Sequence, residues 1–134
     1  MRIDHIAIAV KNVDEALINY QKILKIDHVE IESVPNERVK IATLELEDTR
    51  IELMEPTSDD SPIKKFLTEH GEGMHHIAIT ADEIERDVSV AMANGMKMLG
   101  GLRRGSYGRR IIFIHPKSLN GVLTEFCEPI PSGP

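Results

Sequence analysis

Apolar and polar positions alternate through "HIAIAV", residues 5–10. Ile6, Ile8 and Val10 fall on one side and His5, Ala7 and Ala9 on the other, the period-two signature of a strand. The isoleucine side can bury against a helix, while the small alanines leave open space beside the imidazole. The period then changes. "EALINYQKILKI" sets Ala16, Leu17, Tyr20, Ile23 and Leu24 at helical spacing, with Asp14 placed as an N-terminal cap or first-turn acid. Further strands are predicted at residues 28–34, 39–46 and 50–55, the last two joined by the turn-like "EDT". Residues 56–73 are rich in Pro, Ser, Asp and Gly at both ends and read as a linker holding a short helix, "PIKKFLTEH".

The order of elements then restarts. "HHIAIT" repeats His-Ile-Ala-Ile 71 positions on, with His76, Ala78 and Thr80 on one face. "ADEIERDVSVAMANG" predicts a helix with Ile84, Val88 and Met92 on its apolar side, ended by Gly95. "RRIIFIHP" and "GVLTEFCEP" predict a strand pair across "KSLN". The motif "IELMEP" returns as "TEFCEP" 73 positions on, so the second copy holds two extra residues. Internal repetition names an architecture. The fold class is α+β, two paired βαβββ modules, each predominantly antiparallel, forming a half-open barrel with helices outside. The expected domain is single, residues 1–134, with module one about 2–56, a linker about 57–72 and module two about 73–129.

Composition narrows the function classes. A chain of 134 residues can bury a real core, and 41% apolar with 28% charged residues is ordinary for a globular domain. No apolar run approaches the ~18 residues of a membrane span. The N-terminus runs straight into patterned sequence with a charge at Asp4, so it does not read as a signal peptide. Cys127 is the one cysteine, which excludes an internal disulfide and fits a reducing cytoplasm. A formal net charge of −6 argues against nucleic acid as partner. No phosphate-binding loop, dinucleotide fingerprint or Ser-His-Asp signature is visible.

The repeated strands carry the candidate chemistry. Glu52 shares a face with Met54, opposite Ile51 and Leu53, and Glu125 shares a face with Cys127, opposite Thr124 and Phe126. A strand carboxylate facing a dry core without a partner is costly. Singly, a strand histidine reads as structural and a strand glutamate as solvent-facing. The duplication changes that balance, because pseudo-symmetry brings equivalent positions together. Each module contributes one histidine from its first strand and one glutamate from its last: His5, Glu52, His76 and Glu125. Two imidazoles and two carboxylates suit one divalent ion, Co²⁺, Mn²⁺, Ni²⁺, Fe²⁺ or Zn²⁺. His75 points to the other face, and His28, His70 and His115 lie outside the repeat. The run "LRRGSYGRR" reads either as a solvated loop or as an anion trap built from Arg103, Arg104, Arg109 and Arg110, and Lys117 has the same two readings. Cys127 is expected to pack as a small hydrophobe, and Met92, Met96 and Met98 as core.

The paired "DHIAIAV" and "HHIAI" strands with the two glutamates resemble the vicinal oxygen chelate (glyoxalase/bleomycin resistance/dioxygenase) superfamily. Within it the chain is similar to the methylmalonyl-CoA epimerases over residues 2–128, through "DSPIKKFL" (60–67), "GEGMHHIAI" (71–79) and "FIHPKSLNGVLTEF" (113–126). The resemblance implies an isomerase active on acyl-CoA, a homodimer, and His5, Glu52, His76 and Glu125 as metal ligands. It implies epimerisation at C2 of methylmalonyl-CoA, or a close 2-substituted malonyl-CoA, through a metal-stabilised enolate. Two glutamates then act as bases, one of them Glu125. The alternatives are a glyoxalase-type lyase and a non-catalytic small-molecule-binding protein of the same fold. The sequence departs from the family's pattern at "VPNERV". Asn36 stands where the second acid is usual, Glu37 follows, and Arg38 replaces a glycine. In an extended segment the one-residue shift would aim Glu37 at the opposite face. Tyr107 stands where the family tends to have histidine. The expected substrate contacts are Arg104, Tyr107 and Lys117, with Glu37 as the replacement base.

Overall fold

The computed structural model describes residues 1–26 and 28–130. They form two compact units: one within residues 5–75, and one of residues 76–130 together with residues 1–4.

The first unit carries β1 (Ile3–Ala9) from His5 onward, α1 (Val13–Gln21), β2 (Val29–Val34), β3 (Val39–Glu45), β4 (Arg50–Pro56) and α2 (Pro62–His70). Its strands lie in the order β2-β3-β4-β1. β2, β3 and β4 run antiparallel, and β4 closes on β1 in parallel. The alternation read from the sequence decides which face each residue takes. Val10, Ala42, Leu44 and Leu53 are buried with Val13 and Ala16 of α1. On the opposite face Ala9, Val39 and Ile41 are buried with Ile63 of α2, and Phe66 and Leu67 pack against them. The sheet is thus covered by one helix on each side, each over its own apolar stripe.

Local chemistry fixes the start of α1. Asn12, rather than Asp14, is the N-cap, its side chain accepting from the Glu15 amide at 2.9 Å. Asp14 sits in the first turn, where its charge complements the helix dipole. Glu55 of the "EP" motif accepts from the Val13 amide at 2.8 Å, satisfying another orphan donor of that turn. The helix ends at Gln21, before Ile23 and Leu24. Leu24 still packs on the core, whereas Ile23 is 77% exposed, contrary to its expected place on the apolar stripe.

The second unit repeats the plan with β5 (Gly73–Thr80) from His76 onward, α3 (Ile84–Ala93), β6 (Met98–Arg104), β7 (Arg110–Ile114) and β8 (Thr124–Cys127), in the order β5-β8-β7-β6. β6, β7 and β8 are antiparallel, and β8 closes on β5 in parallel. α3 lays Ile84 and Val88 over Ala81 and Ile112, with Phe126 and Met98 alongside. Met92, expected on that stripe, is 58% exposed. The N-cap Glu83 makes no side-chain cap; instead the backbone amides of Asp82 and Glu83 donate back to Asp87 of the first turn at 2.8 and 3.0 Å, which holds the entry to the helix. Glu128, the counterpart of Glu55, has changed its task and accepts from the Arg110 amide at 2.8 Å.

One strand was not read from the sequence. β6 covers "MLGGLRR", which the basic run had suggested was loop. Gly100 at φ +74° and a register shift between Leu99 and Arg103 break its alternation. Among the described residues, no helix is long and apolar enough to cross a membrane.

Candidate functional site

Each module holds its own histidine–glutamate pair, and the two pairs are built alike. In module one, Ala7 of β1 stands directly beside Glu52 of the parallel strand β4. His5 precedes Ala7 by two residues and so shares its face, and the small alanine leaves room for the imidazole to lean toward the carboxylate. His5 Nε2 lies 3.4 Å from Glu52 Oε1. In module two, Ala78 of β5 stands beside Glu125 of β8 in the same parallel register, and His76 Nε2 lies 3.6 Å from Glu125 Oε1. All four side chains are buried, none of these residues more than 4% exposed.

These distances exceed the ~2.7–3.2 Å of an N–H···O hydrogen bond. They are close to what two ligands of one ion require. With metal–ligand bonds of about 2.1 Å and angles between octahedral and tetrahedral, neighbouring donor atoms sit about 3.0–3.4 Å apart. Buried carboxylates carry a desolvation cost that a divalent charge offsets. Each pair therefore offers one imidazole and one carboxylate donor at a spacing that suits ligands of a divalent ion.

The surroundings of the two pairs differ. Thr43 stands opposite Glu52 on β3 and is buried. The equivalent neighbour of Glu125 is Phe113 on β7. Its ring meets His76 edge to face, centroids 5.0 Å apart, and the Arg103 guanidinium lies 5.1 Å from the ring centre. Phe113 thus packs an aromatic ring against His76, whereas the smaller Thr43 places a hydroxyl-bearing side chain opposite Glu52. Neither residue was picked out from the sequence. The usable signal was their register opposite the two glutamates, which needs the strand pairing to be known.

The region around Asn36 is not extended. Pro35–Glu37 form a 3₁₀ turn, and Arg38 caps it in the left-handed region at φ +56°. Arg38 thus adopts backbone that glycine takes without strain. In this turn the strand rule for Glu37 does not apply. Glu37 is half-buried and Asn36 exposed. The turn lies at the end of β3 where Val39 pairs with Pro56, four residues along β4 from Glu52.

The basic run divides. Arg109 is buried and bonded to Asp4. Arg110 pairs with Glu128 at 3.0 Å and with Glu85. The Glu128 carboxyl is held below its ordinary range chiefly by hydrogen bonds from Arg110. Arg103 lies over Phe113 and donates to the Gly101 carbonyl at 3.2 Å. The solvated-loop reading and the four-arginine anion trap therefore both give way to four separate environments. Arg104 is exposed and donates to the Gly108 carbonyl at 2.8 Å. Tyr107 is half-buried at φ +58° within the 3₁₀ turn Ser106–Gly108. Lys117 is exposed at the start of another 3₁₀ turn, its amide donating to His115 Nδ1 at 3.0 Å. Cys127 is buried with Ala78 and Ile111, as a small hydrophobe. Met98 packs on the module-two core from β6, and Met96 is half-buried.

Residues 4–113 match the Glyoxalase/Bleomycin resistance protein/Dioxygenase superfamily. The mitochondrial methylmalonyl-CoA epimerase of Homo sapiens is 36% identical over 126 residues, covering 92% of this chain and 72% of that protein. The ethylmalonyl-CoA/methylmalonyl-CoA epimerase of Cereibacter sphaeroides is 32% identical over 127 residues, covering 92% and 95%. Among solved structures, a variant of the methylmalonyl-CoA epimerase of Streptomyces coelicolor, in complex with 2-nitronate-propionyl-CoA, superposes with a TM-score of 0.92 at 34% identity, covering 99% of each chain.

Proposed function

We propose, from the premise that the chain belongs to the Glyoxalase/Bleomycin resistance protein/Dioxygenase superfamily, that it epimerises C2 of methylmalonyl-CoA or a close 2-substituted malonyl-CoA. The observation that carries this is the repeated pair: His5 with Glu52 and His76 with Glu125, buried and in the same register in both modules. Relatives covering nearly all of this chain are epimerases of these thioesters by name.

His5, Glu52, His76 and Glu125 would together hold one divalent ion, its charge balanced by the two carboxylates. When bound, the ion supplies positive charge against the oxyanion that develops as C2 loses its proton. The chain supplies the proton traffic. Epimerisation requires a carboxylate to take the C2 proton from one face, leaving the electron pair in the enolate, and an acid to return a proton to the other. Glu125 serves one face. On the other, the Asn36 amide cannot accept a proton at neutral pH, which leaves Glu37 of the same turn as the candidate. Arg104, Tyr107 and Lys117 are candidate contacts for the substrate carboxylate and the CoA phosphates. A homodimer and a cytoplasmic setting belong to the same proposal. They are supported by family resemblance and by a single buried cysteine.

The test is deuterium uptake at C2 of methylmalonyl-CoA in D₂O, with cobalt-loaded and chelator-treated protein, followed by chiral assay of the thioester. Metal-dependent exchange with inversion is expected. Exchange without inversion would show Glu125 working alone. No exchange in protein that binds cobalt would remove the substrate assignment and turn the assay to glyoxalase chemistry.

A further inference from the structure

A buried ion pair lies one residue before His5. Asp4 and Arg109 are both 3% exposed or less, and Arg109 Nη1 donates to Asp4 Oδ1 at 2.9 Å. The same guanidinium donates to the Glu128 carbonyl at 3.0 Å, to the Ser106 carbonyl at 3.3 Å and to Ser106 Oγ at 3.3 Å. Cys127 Sγ lies 3.8 Å from Nη1, and the Tyr107 ring 5.7 Å from the guanidinium carbon. One side chain thus joins the start of β1, the turn Ser106–Gly108 and the end of β8.

Stability alone does not account for such a group. Taking a guanidinium and a carboxylate out of water costs about as much as their attraction returns, and a well-packed apolar pair of similar volume is often as stable. The fork of five N–H donors instead gives fixed direction to several backbone segments at once, which neither an apolar side chain nor the point charge of a lysine does. Two of those segments run directly into candidate ligands. Asp4 precedes His5, whose Cα is about 3.8 Å from its own, and Cys127 and Glu128 follow Glu125 by two and three residues.

We infer that Arg109 is a positioning residue for the metal centre: through Asp4 and the end of β8 it presets His5 and Glu125 before an ion binds. The inference rests on the proposal that these residues are ligands. Outer groups that orient ligands change metal affinity about 10–100-fold when lost.

The probe is Co²⁺ alone, titrated into metal-free protein and followed by its visible d–d absorption. Arg109→Lys keeps the charge beside Asp4 but loses the fork. The double variant Asp4→Asn, Arg109→Met removes the pair without stranding a buried charge. Both are expected to fold by far-ultraviolet circular dichroism, to bind Co²⁺ about 10-fold or more weakly, and to shift the d–d band. Arg110→Lys, in the neighbouring surface pair, is expected to bind as the wild type does. Wild-type affinity within about twofold and an unchanged band in both Arg109 variants would overturn the inference while leaving the ligands standing. Failure of both to fold would assign the pair to stability and also overturn it. Absence of a d–d band in the wild type would remove the ligand reading itself, and this inference with it.

Discussion

His75, the neighbour of His76 on the opposite face of β5, makes stability depend on pH in a way a single substitution can isolate. Its ring packs edge to face on Phe66 of α2, centroids 5.0 Å apart. Burial lowers its pKa from 6.5 to about 4, because the charged imidazolium is poorly solvated there. A histidine depressed on folding costs nothing above pH 6.5. As the pH falls below that value the unfolded chain takes up a proton that the folded chain refuses, so stability is lost between pH 6.5 and about 4. At about 1.4 kcal/mol per pH unit the full loss is about 3 kcal/mol, of which about 2 kcal/mol has gone by pH 5. The perturbation is His75→Leu, which keeps an apolar body against Phe66 and removes the titration. The protein has no tryptophan, so urea unfolding is best followed by circular dichroism, at pH 7 and pH 5 with chelator present. Other titrating groups cancel in the comparison. The wild type should lose about 2 kcal/mol more than the variant over this interval. Parallel losses in the two proteins would refute the assignment, showing that the His75 ring is solvated or held charged.

Two further outcomes test the packing. Leu53→Ala removes a fully buried side chain from beneath α1 and should cost about 2–5 kcal/mol in urea unfolding, with the m-value unchanged. Gly105→Ala would bring a Cβ to 2.7 Å from Ile111 Cδ1, an overpacking expected to cost about 1–3 kcal/mol and to lower the thermal midpoint, and Ile111→Val in the same chain should relieve part of it.

The plan of this protein was legible in its local patterning. Alternation in "HIAIAV" and "HHIAIT" set which residues share a face, because a strand's side-chain period is two whatever surrounds it. The repeat then made His5 and His76, and Glu52 and Glu125, equivalent positions. The burial of both pairs and their common register follow from that local rule and the repeat. Where glycine or a turn suspended the rule, the sequence was silent. β6 hid behind Gly100 and a register shift, and the turn at Pro35–Glu37 removed any alternation argument for Glu37. Ile23 and Met92 keep the helical spacing, but Ile23 lies past the end of its helix and both are exposed. Which charges meet depended on the folded arrangement. Asp4 and Arg109 stand 105 residues apart in the chain and 2.9 Å apart in the fold. Nothing in the period of either segment marks them, because an ion pair is a property of two surfaces brought together and not of either strand alone. Among four neighbouring arginines, the fold buried Arg109 and left Arg104 exposed, a distinction that depends on what packs against each and that composition cannot carry.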